Sequence, residues 1–404
     1  MSIVFKVLLP FALAHLLSYL YRTVNAVVYP ELASDLGLAP NSIGLLTSAY
    51  FLMFALAQLP VGVALDRYGP RKVQIPMLIV ASLGALLFAY ANSIISLVIA
   101  RGLIGLGVAA CLMSAIKGSS LWFSSDKLPL ITATLLSVGG IGAMISTTPM
   151  HIAMEHIGWR DAFLVLGGVT LFVSLMIFLV VPEHSSHKKV SATSISSMTS
   201  EVKLLFSLWS FWRLALYSLV AHAAYMSIQG LWMGPWLTDV AKLDPANVAY
   251  ILLLGTVAMF AGSLIFGWIT DRLIKFSIDP ILVCGTGICI FVFFQLLMIV
   301  DIGINPVIVA VGFSFFGTST TMNYAIVAQS VDSRLTGRVS TSFNLIVFLL
   351  AFVLQWGFGE VINLWKGIDG VYPTIAYQYA IGVVILLQIP GLLLWFSFKP
   401  WKSK

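Results

Sequence analysis

Gly62-Val63-Ala64-Leu65-Asp66-Arg67-Tyr68-Gly69-Pro70-Arg71-Lys72 follows one long apolar run, and Gly267-Trp268-Ile269-Thr270-Asp271-Arg272 follows another, 205 positions further on. A Gly-x-x-x-Asp-Arg element at matched places in two halves of a chain marks an internal duplication. Its residue types suit a gate. Glycine lets helices approach closely. Aspartate can accept hydrogen bonds from helix N-termini or neighbouring arginines. The basic cluster anchors the loop at a water–lipid boundary. An ordinary basic turn would account for one copy; two copies at matched positions point to a built element.

The runs on either side of these elements set the fold. The chain has 404 residues, 59% hydrophobic and 9% charged, whereas a soluble domain is about 25% charged. A bilayer core takes about 20 apolar residues per helix. Stretches of that kind fall at 5–29, 41–65, 73–92, 94–121, 130–154 and 161–182, then at 211–237, 246–270, 280–300, 303–329, 338–363 and 374–398. None alternates in polarity as barrel strands do. The expected fold is an all-α membrane protein with 12 transmembrane helices in two six-helix bundles, 1–182 and 211–404, joined by a polar linker at 183–210. The linker holds His184 and His187, which read as solvated residues, since two candidate ligands make a poor metal site. The first run contains Arg22, lacks a small-residue cleavage site and reads as a retained helix, not a signal peptide. Cys111, Cys284 and Cys289 lie in apolar runs without zinc or disulfide spacing and read as small hydrophobes in helix packing.

The formal charge is +6. No Lys/Arg run is interleaved with aromatics, so nucleic acid is not expected as a partner; the excess reads as a positive-inside bias. With the N-terminus inside, the inner segments hold Lys6, Arg67, Arg71, Lys72, Lys127, Lys188, Lys189, Lys203, Arg213, Arg272, Lys275, Arg334, Arg338, Lys399, Lys402 and Lys404, and the outer loops only Arg160, Lys242 and Lys366. Both termini are therefore expected in the cytoplasm, with the chain a multi-pass protein of the inner membrane. Arg22, Arg101 and Lys117 fall inside helices.

The chain resembles the major facilitator superfamily over its whole length. Gly62 to Lys72 is similar to that family's loop 2–3 motif, and Arg101-x-x-x-Gly105-x-Gly107 to its second motif. Gly139, Gly140 and Gly142 with Pro149 loosely resemble its Gly/Pro-rich helix 5. The second-half copy is degraded, because Leu273 is followed by no Gly-Arg-Arg. The resemblance implies two six-helix bundles, a central cavity and rocker-switch alternating access, with Gly62, Asp66, Arg67, Arg71, Arg101, Gly267, Asp271 and Arg272 in gating roles. Tyr19-Leu20-Tyr21-Arg22 followed by Pro30 is similar to helix 1 of the organophosphate–phosphate antiporters and related organic-anion transporters, where an arginine at this place binds the anion. Helix 4 is similar too, and a site histidine of those carriers falls at Lys117. Two departures stand out: they carry a lysine where Gln58 stands and an arginine near Ile228. This favours a carboxylate or another organic anion over a phosphate ester.

Charged side chains inside membrane helices cost about 2.5–3.5 kcal/mol on insertion scales and mark functional sites by default. No acidic residue lies near mid-depth to balance the three internal cations, so a cavity they line would attract an anion. His15, Ser18, Tyr19, Arg22, Asn25, Ala26 and Tyr29 form one mostly polar stripe at helical spacing. Arg22 is read as the substrate anchor, against the bland alternative of snorkelling. Lys117 fits either substrate binding or snorkelling. Arg101 lies about 24 Å from it along the axis and on nearly the opposite face, so it is assigned to packing and gating. In the second half, His222, Tyr225, Met226, Gln229, Trp232, Met233 and Trp236 form a matching stripe. Helix 10 offers Thr318 to Thr321, Asn323 and Tyr324, and many of these groups will bond helix to helix. Tyr19, Gln58, His222, Gln229 and Asn323 complete the expected substrate-binding set.

No P-loop occurs, so ATP is not the direct energy source. Coupling is left to a proton, with His15, His151 or His222 as carrier, or to a counter-anion. No cofactor is expected, no nucleophile–base pair or metal cluster suggests an enzyme, and a monomer is expected. The function that follows is secondary active transport of a small, carboxylate-like organic anion. Multidrug efflux is one alternative, although a cationic drug would want an intramembrane carboxylate. A transporter-like solute sensor is another.

Overall fold

Backbone polar groups inside a bilayer must be satisfied within the segment, which leaves the helix as the solution for apolar runs of this length. The computed structural model of the protein describes residues 3–124, 127–183, 206–207, 209–300, 303–329, 336–367 and 370–397. Its elements are α1 (Ile3–Thr23), α2 (Asn25–Leu36), α3 (Pro40–Tyr68), α4 (Pro70–Tyr90), α5 (Ile94–Val108), α6 (Cys111–Trp122), α7 (Leu128–Ile145), α8 (Thr148–Val180), α9 (Trp209–Ser227), a π-helical turn (Ile228–Trp232), α10 (Met233–Asp239), α11 (Pro245–Ile274), α12 (Pro280–Ile299), α13 (Pro306–Gly317), a 3-10 turn (Thr318–Met322), α14 (Asn323–Gln329), α15 (Thr336–Ile362) and α16 (Thr374–Phe396). The expected linker at 183–210, with His184, His187, Lys188, Lys189 and Lys203, lies outside the described residues apart from residues 183, 206–207 and 209–210. Arg334, Lys399, Lys402, Lys404 and the side chain of Arg338 lie outside them too.

Helix starts follow local chemistry. Pro70, Pro245, Pro280 and Pro306 occupy first turns, where the missing N–H would have had no partner. The side chains of Asp244, Asp279 and Asn305 accept from the backbone N–H of Asn247 at 3.0 Å, Ile281 at 2.9 Å and Val307 at 2.9 Å, as N-caps do. The N–H groups of Asn247 hold the Asp244 carboxyl below the usual carboxylate range. Gly69, at φ 81°, takes a conformation that strains any side chain and turns α3 into α4.

Nine helices among the described residues are long and apolar enough to cross a bilayer, and the pair α1 and α2, bent by 50°, makes a tenth. The two other expected stretches are interrupted. The first, 130–154, breaks between α7 and α8, and α8 breaks again at Gly158 with φ 71°. The second, 303–329, passes through the 3-10 turn.

The chain forms two compact units, Met1–Leu38 with Leu46–Met198 and Ala39–Leu45 with Thr199–Lys404. In the first, α4 packs along α5 and α8, and α1 along α7. A Cβ on Gly105 would stand 2.3 Å from the Tyr50 carbonyl oxygen, and one on Gly107 2.3 Å from Ala81 N. The Gly105-x-Gly107 motif is thus where α5 touches α3 and α4, close backbone approach being the main source of helix association in lipid. In the second unit, α11 packs along α13, and α9 along α15 and α16, with Phe211, Leu214, Leu219, Phe343 and Val347 in a shared core. Leu83, Ile95, Phe172, Leu264 and Leu386 stand exposed, a surface that suits acyl chains rather than water.

Candidate functional site

Arg22 occupies the penultimate position of α1, just before the 50° bend into α2. Thr23 Oγ1 donates to the Tyr19 carbonyl at 2.9 Å and meets Ser146 Oγ at 2.7 Å. A hydroxyl bonded back one turn competes with the helix ladder and bends it. The half-buried Arg22 guanidinium carbon lies 4.6 Å from the Tyr19 ring centre and 5.4 Å from that of Phe54, within cation–π range. Arg22 also shares a hydrogen bond with the Tyr50 side chain, and the Tyr50 hydroxyl donates to the Ser18 carbonyl at 3.3 Å. Gln58, buried one turn beyond Phe54, donates from Nε2 to the Phe54 carbonyl at 3.3 Å. His15 meets Tyr19 edge-on at 5.1 Å, and neither of its buried ring nitrogens has a partner among the described residues. The structure therefore brings Arg22, Tyr19 and His15 together with Tyr50, Phe54 and Gln58 of α3.

The other two internal cations are placed differently. Lys117 was expected to lack an acidic partner; instead Lys117 Nζ is ion-paired with Asp66 Oδ1. The correction has a simple cause. α6 runs beside the end of α3, so an aspartate placed at the rim by sequence reaches a lysine placed deeper. Arg101 is fully buried. Its guanidinium carbon lies 4.7 Å from the Phe88 ring centre and 5.2 Å from that of Phe163, and its Nη1 donates to the Tyr21 carbonyl at 3.2 Å.

The rest of the first Asp-Arg element is tied down as well. Arg71 Nη2 donates to the Phe178 carbonyl at 2.6 Å, Lys72 Nζ lies 2.6 Å from Glu183, and Arg67 lies over Tyr68 at 5.3 Å. A cleft beside it is lined by Tyr68, Arg71, Lys72, Trp122, Pro182 and Glu183. In the second copy, Arg272 lies over Trp268 at 5.4 Å, no ion pair holds Asp271 among the described residues, and a Cβ on Gly267 would meet open space.

Within the second unit the polar side chains pair with one another. His222 Nδ1 lies 2.6 Å from Thr320 Oγ1, and Tyr324 donates to Asn344 Oδ1 at 2.7 Å while meeting His222 edge-on at 5.7 Å. Gln229 sits in the π-helical turn and accepts from Ser314 Oγ at 2.8 Å. Such turns are frequent at functional sites. Asn323 is fully buried at the start of α14 and donates to the Leu214 carbonyl of α9 at 2.8 Å.

Sequence reading missed Asp239. It is buried at the end of α10 and accepts from the Tyr377 hydroxyl at 2.6 Å and from Tyr372 N at 3.1 Å. An acid closing an apolar helix was a visible signal, but its partners lie more than 130 positions away. At the far end of the first unit, Trp159 Nε1 likewise donates to Asp35 at 2.8 Å, and His151 lies 3.5 Å from Glu155.

Two half-chain helical units that share an Asp-Arg element narrow the family, and a family model decides it: the Major Facilitator Superfamily model matches residues 11–355. The chain belongs to the Major Facilitator Superfamily. It is a multi-pass membrane transporter and not an enzyme. A protein of Escherichia coli strain K12 described as a probable galactarate/D-glucarate transporter is 21% identical over 411 residues, covering 94% of this chain and 91% of that one. One described as a probable L-galactonate transporter, also of Escherichia coli strain K12, is 23% identical over 363 residues, covering 84% of this chain and 78% of that one. Among solved structures, that of the nucleoside transporter NupG matches at TM-score 0.78 and 11% identity, covering 99% of this chain and 100% of that one, which speaks for the fold alone.

Proposed function

We propose that the chain is a secondary active transporter carrying a small organic anion across the inner membrane by alternating access, and that Arg22 is the anion's anchor. The observation that carries this is the guanidinium at the α1 bend, set among Tyr19, Tyr50 and Phe54. A cation within an apolar helix marks a functional site by default and attracts an anion. The relatives, described as transporters of galactarate or D-glucarate and of L-galactonate, support a sugar acid or similar carboxylate. The proposal includes twelve crossings with both termini in the cytoplasm, a monomer, and Tyr19 and Gln58 beside Arg22; His222 and Gln229 are candidate substrate-binding residues of the second unit considered by itself. Asp66, Arg67 and Arg71, with Gly62, form the gating element.

Coupling runs on a proton or a counter-anion. For the proton, His222 is the preferred carrier, because Thr320 is placed to respond to its protonation. The test is uptake of labelled sugar acids into proteoliposomes. Arg22→Ala should abolish uptake while the protein still inserts, and normal uptake by that variant would remove the anchor. His222→Gln should abolish accumulation driven by a pH gradient while counterflow persists; loss of neither points to anion exchange.

A further inference from the structure

A carboxylate in the last turn of a helix faces open carbonyls and the negative end of the helix dipole, so an acid there needs a compensating partner. The first long helical path of each unit ends this way. In the first unit the chain bends by 50° after Thr23, and α2 closes on Asp35, its penultimate residue. In the second, α9 runs into the π-helical turn at Ile228–Trp232, and α10 closes on Asp239, its last residue. The two aspartates are 204 positions apart, within one residue of the spacing between the Asp-Arg elements. Each precedes the helix that leads to its own Asp-Arg element, α3 or α11.

Both aspartates meet an aromatic donor. Trp159 Nε1 donates to Asp35 Oδ2 at 2.8 Å, and the Tyr377 hydroxyl donates to Asp239 Oδ2 at 2.6 Å. Both rings are buried, and a buried indole N–H or phenol needs an acceptor. Trp159 is the first residue past the break of α8 at Gly158, and Tyr377 is the fourth residue of α16. Each therefore stands at the start of the last long apolar stretch of its unit. Tyr372 N adds a second bond to Asp239 at 3.1 Å. Hydrogen bonds to an ionised acceptor are about twice as strong as neutral ones. They offset the unfavourable position at each helix end and tie the segment beyond each break to a distant part of its own unit.

We propose that Asp35–Trp159 and Asp239–Tyr377 are a duplicated latch, and that α2 and α10 are hinged gates that swing about the breaks behind them when it opens. The gating part rests on the alternating-access reading; the latch does not. Helices kink at π-turns and where a side chain enters the ladder, and hinges absorb motion at the ends of elements. The two latches differ in tightness. Asp35 is exposed and Asp239 buried, so water competes for the first bond more than for the second. The first gate opens more readily.

The test is hydrogen–deuterium exchange on the full-length purified protein, with counterflow of labelled sugar acids in proteoliposomes beside it. Parent exchange should be faster over α2 than over α10. Trp159→Phe should speed exchange over α2 by about tenfold or more and leave α5 and α6 unchanged. Tyr377→Phe should act likewise on α10 and leave α12 unchanged. Asp35→Ala keeps the indole and should match Trp159→Phe. The double variant should exchange no faster than either, because one bond is lost in all three. Counterflow in the single variants should run about threefold or more faster at an unchanged half-saturation concentration, as a gate with a weaker latch opens sooner. Exchange that stays at the parent rate, or rises through the whole unit, would overturn the latch. Raised exchange with unchanged or slower counterflow would overturn the gates and leave a structural tie. A parent that carries none of the sugar acids would remove the transport reading and the gates with it, while exchange still decides the latch.

Discussion

The two Asp-Arg elements share a sequence pattern and differ in what holds them. In the first unit, Asp66 holds Lys117, Arg71 holds the Phe178 carbonyl and Lys72 holds Glu183, so the turn after α3 is fastened to α6 and to the end of α8. In the second, Asp271 stands without an ion pair among the described residues, and Arg272 rests on Trp268 of its own helix. The reason can be named. The residue 205 positions after Lys117 is Met322, and the structure places its sulfur 3.9 Å from Thr270 Oγ1, next to Asp271. Where the first unit has an ammonium facing the turn, the second has a thioether. The same sequence signature thus stands in two different settings, one with a lysine facing it and one with a methionine.

The largest effect should come from breaking the charged copy. Asp66→Ala leaves the Lys117 ammonium unbalanced beside the membrane, and turnover in reconstituted vesicles should fall about tenfold or more, each factor of ten corresponding to about 1.4 kcal/mol on the conformational barrier. Substrate affinity should change much less. The exchange Asp66→Lys with Lys117→Asp should restore much of the rate. Asp271→Asn, the matched change in the second unit, should alter turnover by less than about twofold, since no ion pair is lost among the described residues. Equal losses for the two aspartates would end the distinction.

A middle-sized effect should come from rebuilding the missing partner. Met322→Lys puts an ammonium at the position matched to Lys117, beside Thr270, the residue before Asp271. The variant should gain a pair worth at most about 1 kcal/mol of thermal stability. Turnover should slow, because the second turn would then also have to be released in each cycle. The gain should vanish in Met322→Lys combined with Asp271→Asn. A stability gain that survives the second change would mean that lysine packs there without pairing.

Much of this protein could be read from its residues, and the parts that could not share a cause. Apolar runs gave helices at the expected places because a bilayer leaves the backbone no alternative. Arg22 could be singled out because a cation in an apolar run is conspicuous without any knowledge of its neighbours. The breaks within runs were not legible: the bend after Thr23 depends on Ser146, and the π-helical turn at Gln229 has no composition of its own. Partnerships were the least legible. Lys117 and Asp66 lie 51 positions apart, and periodicity reports which face of a helix a residue shares with its near neighbours, not what another helix brings to that face. The same limit explains Asn323, whose amide meets a carbonyl 109 positions away, and Asp239, whose tyrosines arrive from the last helix and the connection before it.

The smallest effect tests whether charge alone makes the first element work. Lys72 and Glu183 are 2.6 Å apart, closer than most ion pairs need to be, yet both side chains are 57% exposed; those of Lys117 and Asp66 are 31% and 38% exposed. Water and salt screen an exposed pair, and holding two long side chains in one geometry costs entropy. A double-mutant cycle across Lys72→Ala and Glu183→Ala should therefore give a coupling of about 0.5 kcal/mol or less, fading as ionic strength rises, with turnover nearly unchanged. The same cycle across Asp66 and Lys117 should give more and fade less. If the exposed pair proves the stronger, then proximity rather than shielding sets these contacts, and the lost lysine at position 322 no longer explains why the second copy is slack.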